Sequence, residues 1–580
     1  MFSILFRYMR GYEKETILTP LFTGGEVLME VLLPYIIASL IDEGVTPGNM
    51  NAIYKYGLIM LLCAFVSLFL GIGAGRTSAK ASTGFASNLR QAVYEKVQTL
   101  SFSNIDKFST AGLVTRMTTD VSNLQMAYQM LMRIAIRTPL TLIMSVFMCV
   151  RISPSLSMVF VVALVFLGMA LLFIHSRVMK LFSVVFQRYD ELNASVQENV
   201  SSIRVVKAFV REEYEDEKFT KAANAIKTMF VKAESIIALN NPVMNLTVYG
   251  CIIAISWFGA KQVVGGEITT GNLTSMFSYI MQILMSLMML SMVFVMLSMS
   301  SASAKRLNEV LNEVPDIQNP EDPVMEVENG QIDFNDVDFA YNTGTGEMTL
   351  KDINLHIHSG ETIGIIGGTG SGKSSLVNLI SRLYDVNQGS VEVGGHDVRS
   401  YDTEVLRNKV AVVLQKNELF SGTVRSNLQW GNEYATDEQC WLALRSACAD
   451  EFIEVLPEGL DAPVEQSGAN FSGGQKQRLC IARALLKDPK VLILDDSTSA
   501  VDTATDARIQ QAFKELIPGT TKLIIAQRIA SVKSADRIIV MEDGRIDAFD
   551  THENLMKTSE IYRDIYETQM KGGGDFDEAR

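Results

Sequence analysis

Gly367-Gly368-Thr369-Gly370-Ser371-Gly372-Lys373-Ser374 separates an apolar run at 361–366 from a helical pattern at 374–384, and this stretch decides how the chain is read. It matches G-x-x-x-x-G-K-[S/T] in full. At average residue usage such a match arises by chance about 0.02 times in a chain of this length. Glycines let backbone N–H groups close around phosphate oxygens at the positive end of the following helix. Lys373 supplies a point charge to the β- and γ-phosphates, Ser374 offers its hydroxyl to Mg2+, and Ser375 shares the same first turn. Downstream, Val491-Leu492-Ile493-Leu494-Asp495 is an apolar run ending in a carboxylate, the arrangement that completes a metal shell. Tyr341 follows a predicted strand at 331–339, in position to stack on adenine. Short β-branched runs alternate with helical patterns past Pro315, Pro320 and Pro323, which predicts a parallel α/β domain over 315–580. ATP and Mg2+ are the expected cofactors.

The rest of the chain has a different texture. Residues 1–314 carry 26 Lys+Arg against 21 Asp+Glu, whereas 315–580 carry 25 against 44, for a net charge of −14 over 580 residues. A hydrophobic content of 48%, a charged content of 20% and a mean hydropathy of +0.18 exclude a disordered chain. The acidity argues against nucleic acid as a partner. Six cysteines, none in a C-x-x-C pair, make neither a disulfide framework nor a zinc site.

Six apolar stretches, at 16–41, 53–75, 134–152, 156–175, 236–258 and 273–299, are each of the order of the 20 residues a helix needs to cross a bilayer. Asn240, Asn241 and Pro242 interrupt the fifth, which neighbouring helices can compensate. The segment 76–133 holds seven Lys+Arg and 176–235 holds ten, while the alternate connections hold almost none. The positive-inside rule therefore places both long connections and both termini in the cytoplasm. Residues 2–12 (FSILFRYMRGY) read as an interfacial helix. Helical periodicity continues through the two cytoplasmic connections, predicting arms that project about 35–40 Å from the membrane. The expected fold is an all-α six-helix transmembrane domain with long cytoplasmic helical extensions over 1–314, fused to an α/β P-loop nucleotide-binding domain over 315–580.

Between the glycine loop and Asp495 lies Asn470-Phe471-Ser472-Gly473-Gly474-Gln475, which resembles the signature of ATP-binding cassette (ABC) ATPases. Gln415 resembles the Q-loop residue, a further metal ligand. Ser499-Ala500-Val501-Asp502 resembles the D-loop, and Glu465 the acidic residue of the exporter x-loop that serves coupling. Six spans ahead of one cassette resemble a half-transporter of the type IV ABC exporter class. The resemblance implies a domain-swapped dimer clamping two ATP molecules, with coupling helices near 104–111 and 207–215. It also implies residence in a bacterial plasma (inner) membrane, in line with a short N-terminus that shows no transit-peptide pattern.

Two positions depart from the family. The general-base Glu after Asp495 is here Asp496, one methylene shorter, and the switch His is here Gln527, which cannot carry a proton or a charge. With Ser472, Gly473, Gly474 and Gln475 intact, the pair predicts a degenerate ATP site and a second, non-identical half-transporter chain that completes the competent one. Glu26 and Glu30, four residues apart on the first span, leave two readings open: attraction of a small cationic amphiphile, or internal pairing with Arg133 or Arg137. Met276, Met281, Met285, Met288, Met289, Met292, Met296 and Met299 suit a wall that repacks around varied apolar ligands. The expectation is a multidrug-type exporter; the alternatives are export of a lipid or peptide, or a nucleotide-gated membrane regulator.

Overall fold

The computed structural model describes residues 2–341, 347–496 and 503–573. The chain forms two compact units, one of Met1–Gln98 with Thr110–Glu313 and one of Thr99–Ser109 with Val314–Arg580.

In the first unit, α1 (Phe2–Tyr8) leads into α2 (Glu13–Leu40) and α3 (Met50–Gln98). The short α4 (Phe102–Phe108) belongs to the second unit. The first unit resumes with α5 (Thr110–Thr115), α6 (Val121–Ile152), α7 (Pro154–Ser201), α8 (Ile203–Ala208), α9 (Glu212–Ile237), α10 (Asn240–Val264) and α11 (Thr270–Asn312). Six helical stretches among the described residues are long and apolar enough to cross a membrane. The helices outrun the apolar stretches because nothing in the polar continuations breaks them: α3 runs 49 residues and α7 runs 48. The short helix of the second arm ends at Ala208, earlier than expected, and 207–215 spans its end and the start of α9.

Pro34 shows how the unit is held without a hydrophobic drive between its helices. Its missing N–H frees the carbonyl of Glu30 in α2. The Gln282 amide of α11 donates to that carbonyl at 3.4 Å, the Tyr279 hydroxyl donates to the Val31 carbonyl at 2.8 Å, and Ser275 donates to the Pro34 carbonyl at 2.6 Å. Polar side chains of one span thus satisfy backbone that another span exposes. Val27, Val31, Leu167, Ile255, Met276 and Ile280 pack between these contacts, while Leu62, Phe69, Phe147, Leu172 and Trp257 face outward, as lipid-facing residues do.

The second unit is built on a six-stranded sheet of order Arg545–Asp550, Arg537–Glu542, Thr362–Gly367, Thr521–Ile525, Val491–Asp495, Val410–Val413. Its pairings are parallel except at the Arg545–Asp550 edge. The expected parallel α/β core is thus present, and beside it stands a separate antiparallel sheet of Leu350–Ile357, Ile332–Phe339, Gln388–Val393 and His396–Asp397. Leu350–Ile357 alternates buried and exposed positions, the pattern of a strand with one face on the core. Thr362–Gly367 and Val491–Asp495 are instead buried almost throughout, as central parallel strands are.

Candidate functional site

The glycine loop leaves Thr362–Gly367 and opens α12 (Lys373–Ile380). Two glycines are required by geometry. A Cβ on Gly367 would lie 2.2 Å from the Met541 carbonyl oxygen, and Gly372, at φ +96°, would place one 2.7 Å from a Leu350 methyl. Gly368, Thr369 and Gly370 are exposed and Ser371 is buried. α12 stops at Ile380, short of the expected 384, because Arg382 turns left-handed at φ +50°.

Lys373 Nζ donates to the carbonyls of Gly367 at 2.9 Å and Gly368 at 2.7 Å, so the ammonium is held inside the loop it serves. Burial lowers its pKa, against the opposing pull of the Asp495 and Asp496 carboxylates. Ser374 Oγ donates to Asp495 Oδ1 at 3.1 Å. Burial pushes the Asp495 carboxyl above its usual range, and the neighbouring Asp496 adds to the push, while the Ser374 hydroxyl and the Lys373 charge draw it back. A buried carboxylate in that state, beside a hydroxyl, fits a hard cation. Ser374 and Asp495 are the side chains that would hold Mg2+, which when bound neutralises phosphate oxygens; Gln415, expected as a further ligand, is exposed and reaches Asp496 instead.

Asp496 leaves the strand at φ +50°, a conformation Asp tolerates better than Glu, with its N–H donating to the Ile525 carbonyl at 3.1 Å. Its Oδ2 accepts from the Gln527 amide at 2.7 Å and lies 3.5 Å from the Gln415 amide. The two positions that depart from the family are therefore in contact.

Tyr341 is half exposed, its hydroxyl 3.0 Å from Ser375 Oγ and its ring edge-on to Tyr384 with centroids 4.9 Å apart. Tyr384 in turn donates to Asp106 Oδ2 of α4 at 2.7 Å, and the Ser103 hydroxyl of α4 donates to Asp316 at 2.6 Å. No motif marks Tyr384 or Asp106, which lie 278 residues apart.

The signature is a capping box. Ser472 caps the helix Gly473–Leu485 by accepting from the Gln475 N–H at 3.3 Å, and Gln475 Oε1 accepts from the Ser472 N–H at 2.8 Å. Gly473 and Gly474 put no side chain over the first turn, leaving N–H groups and the helix dipole open to an anion. Glu465 is exposed, and its N–H donates to Asn470 Oδ1 at 3.0 Å. Asp502 lies outside the described residues.

In the first unit, Arg137 of α6 takes both carboxylates of α2: Nη1 donates to Glu26 at 2.9 Å and Nη2 to Glu30 at 2.5 Å. Gly71 on α3 makes room, since a Cβ there would stand 3.3 Å from Glu26 Oε1. Of the two readings left open, the structure supports internal pairing, with Arg137 as the partner. Glu30, Arg133, Arg137, Thr138, Gln282 and Met285 are among the residues lining a cavity of about 400 Å3. Arg133 has no hydrogen-bond or ion-pair partner among the described residues.

Residues 17–308 match the family described as the ABC transporter transmembrane region, and residues 350–499 the one described as ABC transporter. The chain is an ABC transporter. The transporter is 34% identical over 574 residues to an ABC transporter ATP-binding protein of Mycobacterium tuberculosis, covering 98% of each chain. It is 32% identical over 488 residues to the ATP-dependent lipid A-core flippase of Syntrophus aciditrophicus, covering 83% of this chain and 80% of that one. A solved bacterial Atm1-family ABC exporter with ATP bound superposes with a TM-score of 0.80 at 23% identity, over 97% of this chain and 99% of that one. The transporter is thus a half-size ABC protein with transmembrane and ATPase domains, driving transport across a membrane with ATP and Mg2+. It is a multi-pass inner-membrane protein whose ATPase domain is cytoplasmic. The expectation of a non-identical partner chain is overturned by this likeness to an Atm1-family exporter.

Proposed function

We propose that the transporter works as a pair of identical chains and exports a lipid-like amphiphile with an acidic headgroup. The observation that carries this is Arg133, a guanidinium that lines a cavity among the spans and has no partner among the described residues, while Glu26 and Glu30 are already paired with Arg137. An ionisable group at membrane depth faces a cavity or a ligand, and guanidinium suits phosphate. The likeness to a lipid A-core flippase supports a lipid cargo.

Pairing with a second copy is supported by surfaces each unit leaves open. Phe209 and Val210, at the tip of the second arm, are 74% and 80% exposed. Phe420 and Trp430, stacked at 4.1 Å, stand beside a groove of about 360 Å3 on the nucleotide-binding unit. In such a pair each ATP lies between Lys373, Ser374 and Asp495 of one copy and the bare helix end at Ser472–Gln475 of the other. Asp496 then accepts the proton of the attacking water in both sites, with Gln527 fixing its orientation. Asp is short for that task, so hydrolysis is slow. Asp496→Glu is expected to raise turnover at saturating ATP about tenfold, since a well-placed general base is worth about 10²–10⁴. Unchanged or lower turnover would place the base elsewhere.

The reading is tested with the single purified chain in vesicles of phosphatidylglycerol or phosphatidylcholine. ATP turnover is expected from this chain alone and to be stimulated by the acidic lipid. Arg133→Ala should weaken that stimulation about tenfold in half-effective lipid concentration, the size of one charge-assisted contact. Equal response to both lipids sinks the cargo assignment, and absence of turnover until another gene product is added sinks the pairing.

A further inference from the structure

Gln527 is exposed and sits on a three-residue turn between the strand Thr521–Ile525 and the short helical turn Ile529–Ser531, so something other than packing must fix its aim. That something lies about forty residues further along the chain. Gln569, on the C-terminal helix Glu560–Gly573, grips the turn with both ends of one amide: its Nε2 donates to the Gln527 carbonyl at 2.8 Å, and its Oε1 accepts from the Ile529 N–H at 2.8 Å. These are backbone groups that neither the sheet nor a helix satisfies, and without Gln569 they would turn to water. The helix that carries Gln569 is itself anchored. Tyr562 is fully buried with its hydroxyl 2.7 Å from His552 Nδ1, and Ile561, Ile565 and Tyr566 pack against the core of the nucleotide-binding unit.

The contacts run in series. The C-terminal helix holds Gln569, Gln569 clamps the backbone on both sides of Arg528, and the Gln527 side chain on that clamped turn donates to Asp496 at 2.7 Å. We infer that Gln569 is a positioning residue for ATP hydrolysis: it sets the orientation of Gln527, and through it that of the Asp496 carboxylate. The inference rests on the reading of Asp496 and Gln527 as hydrolytic residues. It adds that the C-terminal helix is part of the hydrolytic apparatus and a place from which the rate is set. An amide fork is well matched to the task, since one rigid planar group meets a donor and an acceptor two residues apart. A free turn would let the switch amide swing away from the carboxylate, and misplacement on that scale is felt in the chemical step rather than in binding.

The test uses the full-length transporter, with kcat for ATP read at saturating nucleotide and thermal unfolding read alongside. Gln569→Ala is expected to lower kcat about fivefold, the scale of coupling between neighbouring groups, with the unfolding midpoint unmoved. Gln569→Glu keeps the acceptor for the Ile529 N–H but sets a carboxylate against the Gln527 carbonyl, and is expected to lose as much. In a Gln527→Ala background, Gln569→Ala should have no further effect, because the group it aims is gone. A residue that merely steadied the helix would lower both backgrounds alike. Values of kcat within twofold of the parent for both Gln569 variants, or an equal fall in the Gln527→Ala background, overturn the inference. If Gln527→Ala alone leaves kcat unchanged, the hydrolytic reading of Gln527 fails first and takes the inference with it, which separates that failure from the others.

Discussion

Lys373→Ala is expected to cut ATP turnover by at least about a hundredfold, the cost of removing one preorganised charge-stabilising donor from a phosphoryl-transfer site. Lys373 Nζ lies within 2.9 Å of two loop carbonyls, inside the turn that glycines at 367 and 372 make possible. It is therefore aimed before nucleotide arrives, and its charge does not need to be recruited. Burial disfavours that charge, while Asp495 and Asp496 help to retain it. Alanine removes the charge and leaves the two carboxylates facing phosphate oxygens without a counter-ion from the loop. Lys373→Arg should rescue little, since a planar fork does not occupy the space of a compact ammonium. Both variants should unfold at the parent temperature, because the Thr362–Gly367 strand and α12 pack through other side chains. Turnover within tenfold of the parent for Lys373→Ala would remove this loop from the hydrolytic site.

Arg137→Ala is expected to cost on the order of 2 kcal/mol of stability, less than breaking a fully buried ion pair from one side, since Arg137 and Glu30 are about a third exposed and only Glu26 is buried. Arg137 bonds both Glu26 and Glu30, and Glu26 is 8% exposed with its second oxygen unpaired among the described residues. Truncation would strand two carboxylates among apolar spans. The check is the thermal unfolding midpoint in detergent, with Arg133→Ala as the comparison, which should shift it far less because Arg133 is committed to no partner among the described residues. Combining Arg137→Ala with Glu26→Gln and Glu30→Gln should recover most of the loss. If the triple variant is as unstable as the single one, packing rather than charge explains Arg137.

How far the site was legible depends on the distance over which its chemistry is set. The phosphate loop, the Asp495 carboxylate and the signature are local. A glycine at φ +96° and a Ser-x-x-Gln capping box are properties of a few consecutive residues, and their letters report them directly. The six spans were legible for the same reason, since a bilayer imposes one length and one composition on each helix. Partner choices were not. The two readings of Glu26 and Glu30 could not be separated from the sequence, and between Arg133 and Arg137, four residues apart on one helix, the choice turns on the axial register of α2 against α6, a shift of about one helical turn.

Six membrane-crossing helices, an ATP-binding loop, and Asp496 and Gln527 where the family the chain resembles has a Glu and a His could all be read from the letters alone, because each is written within a window no longer than one helix. Only the tertiary structure decided that Asp496 and Gln527 touch, that Arg137 neutralises the first span, and that Gln569 holds the switch turn. Those contacts join residues tens to more than a hundred positions apart, and their distances are fixed by how strands align and helices slide, which no local pattern of letters records.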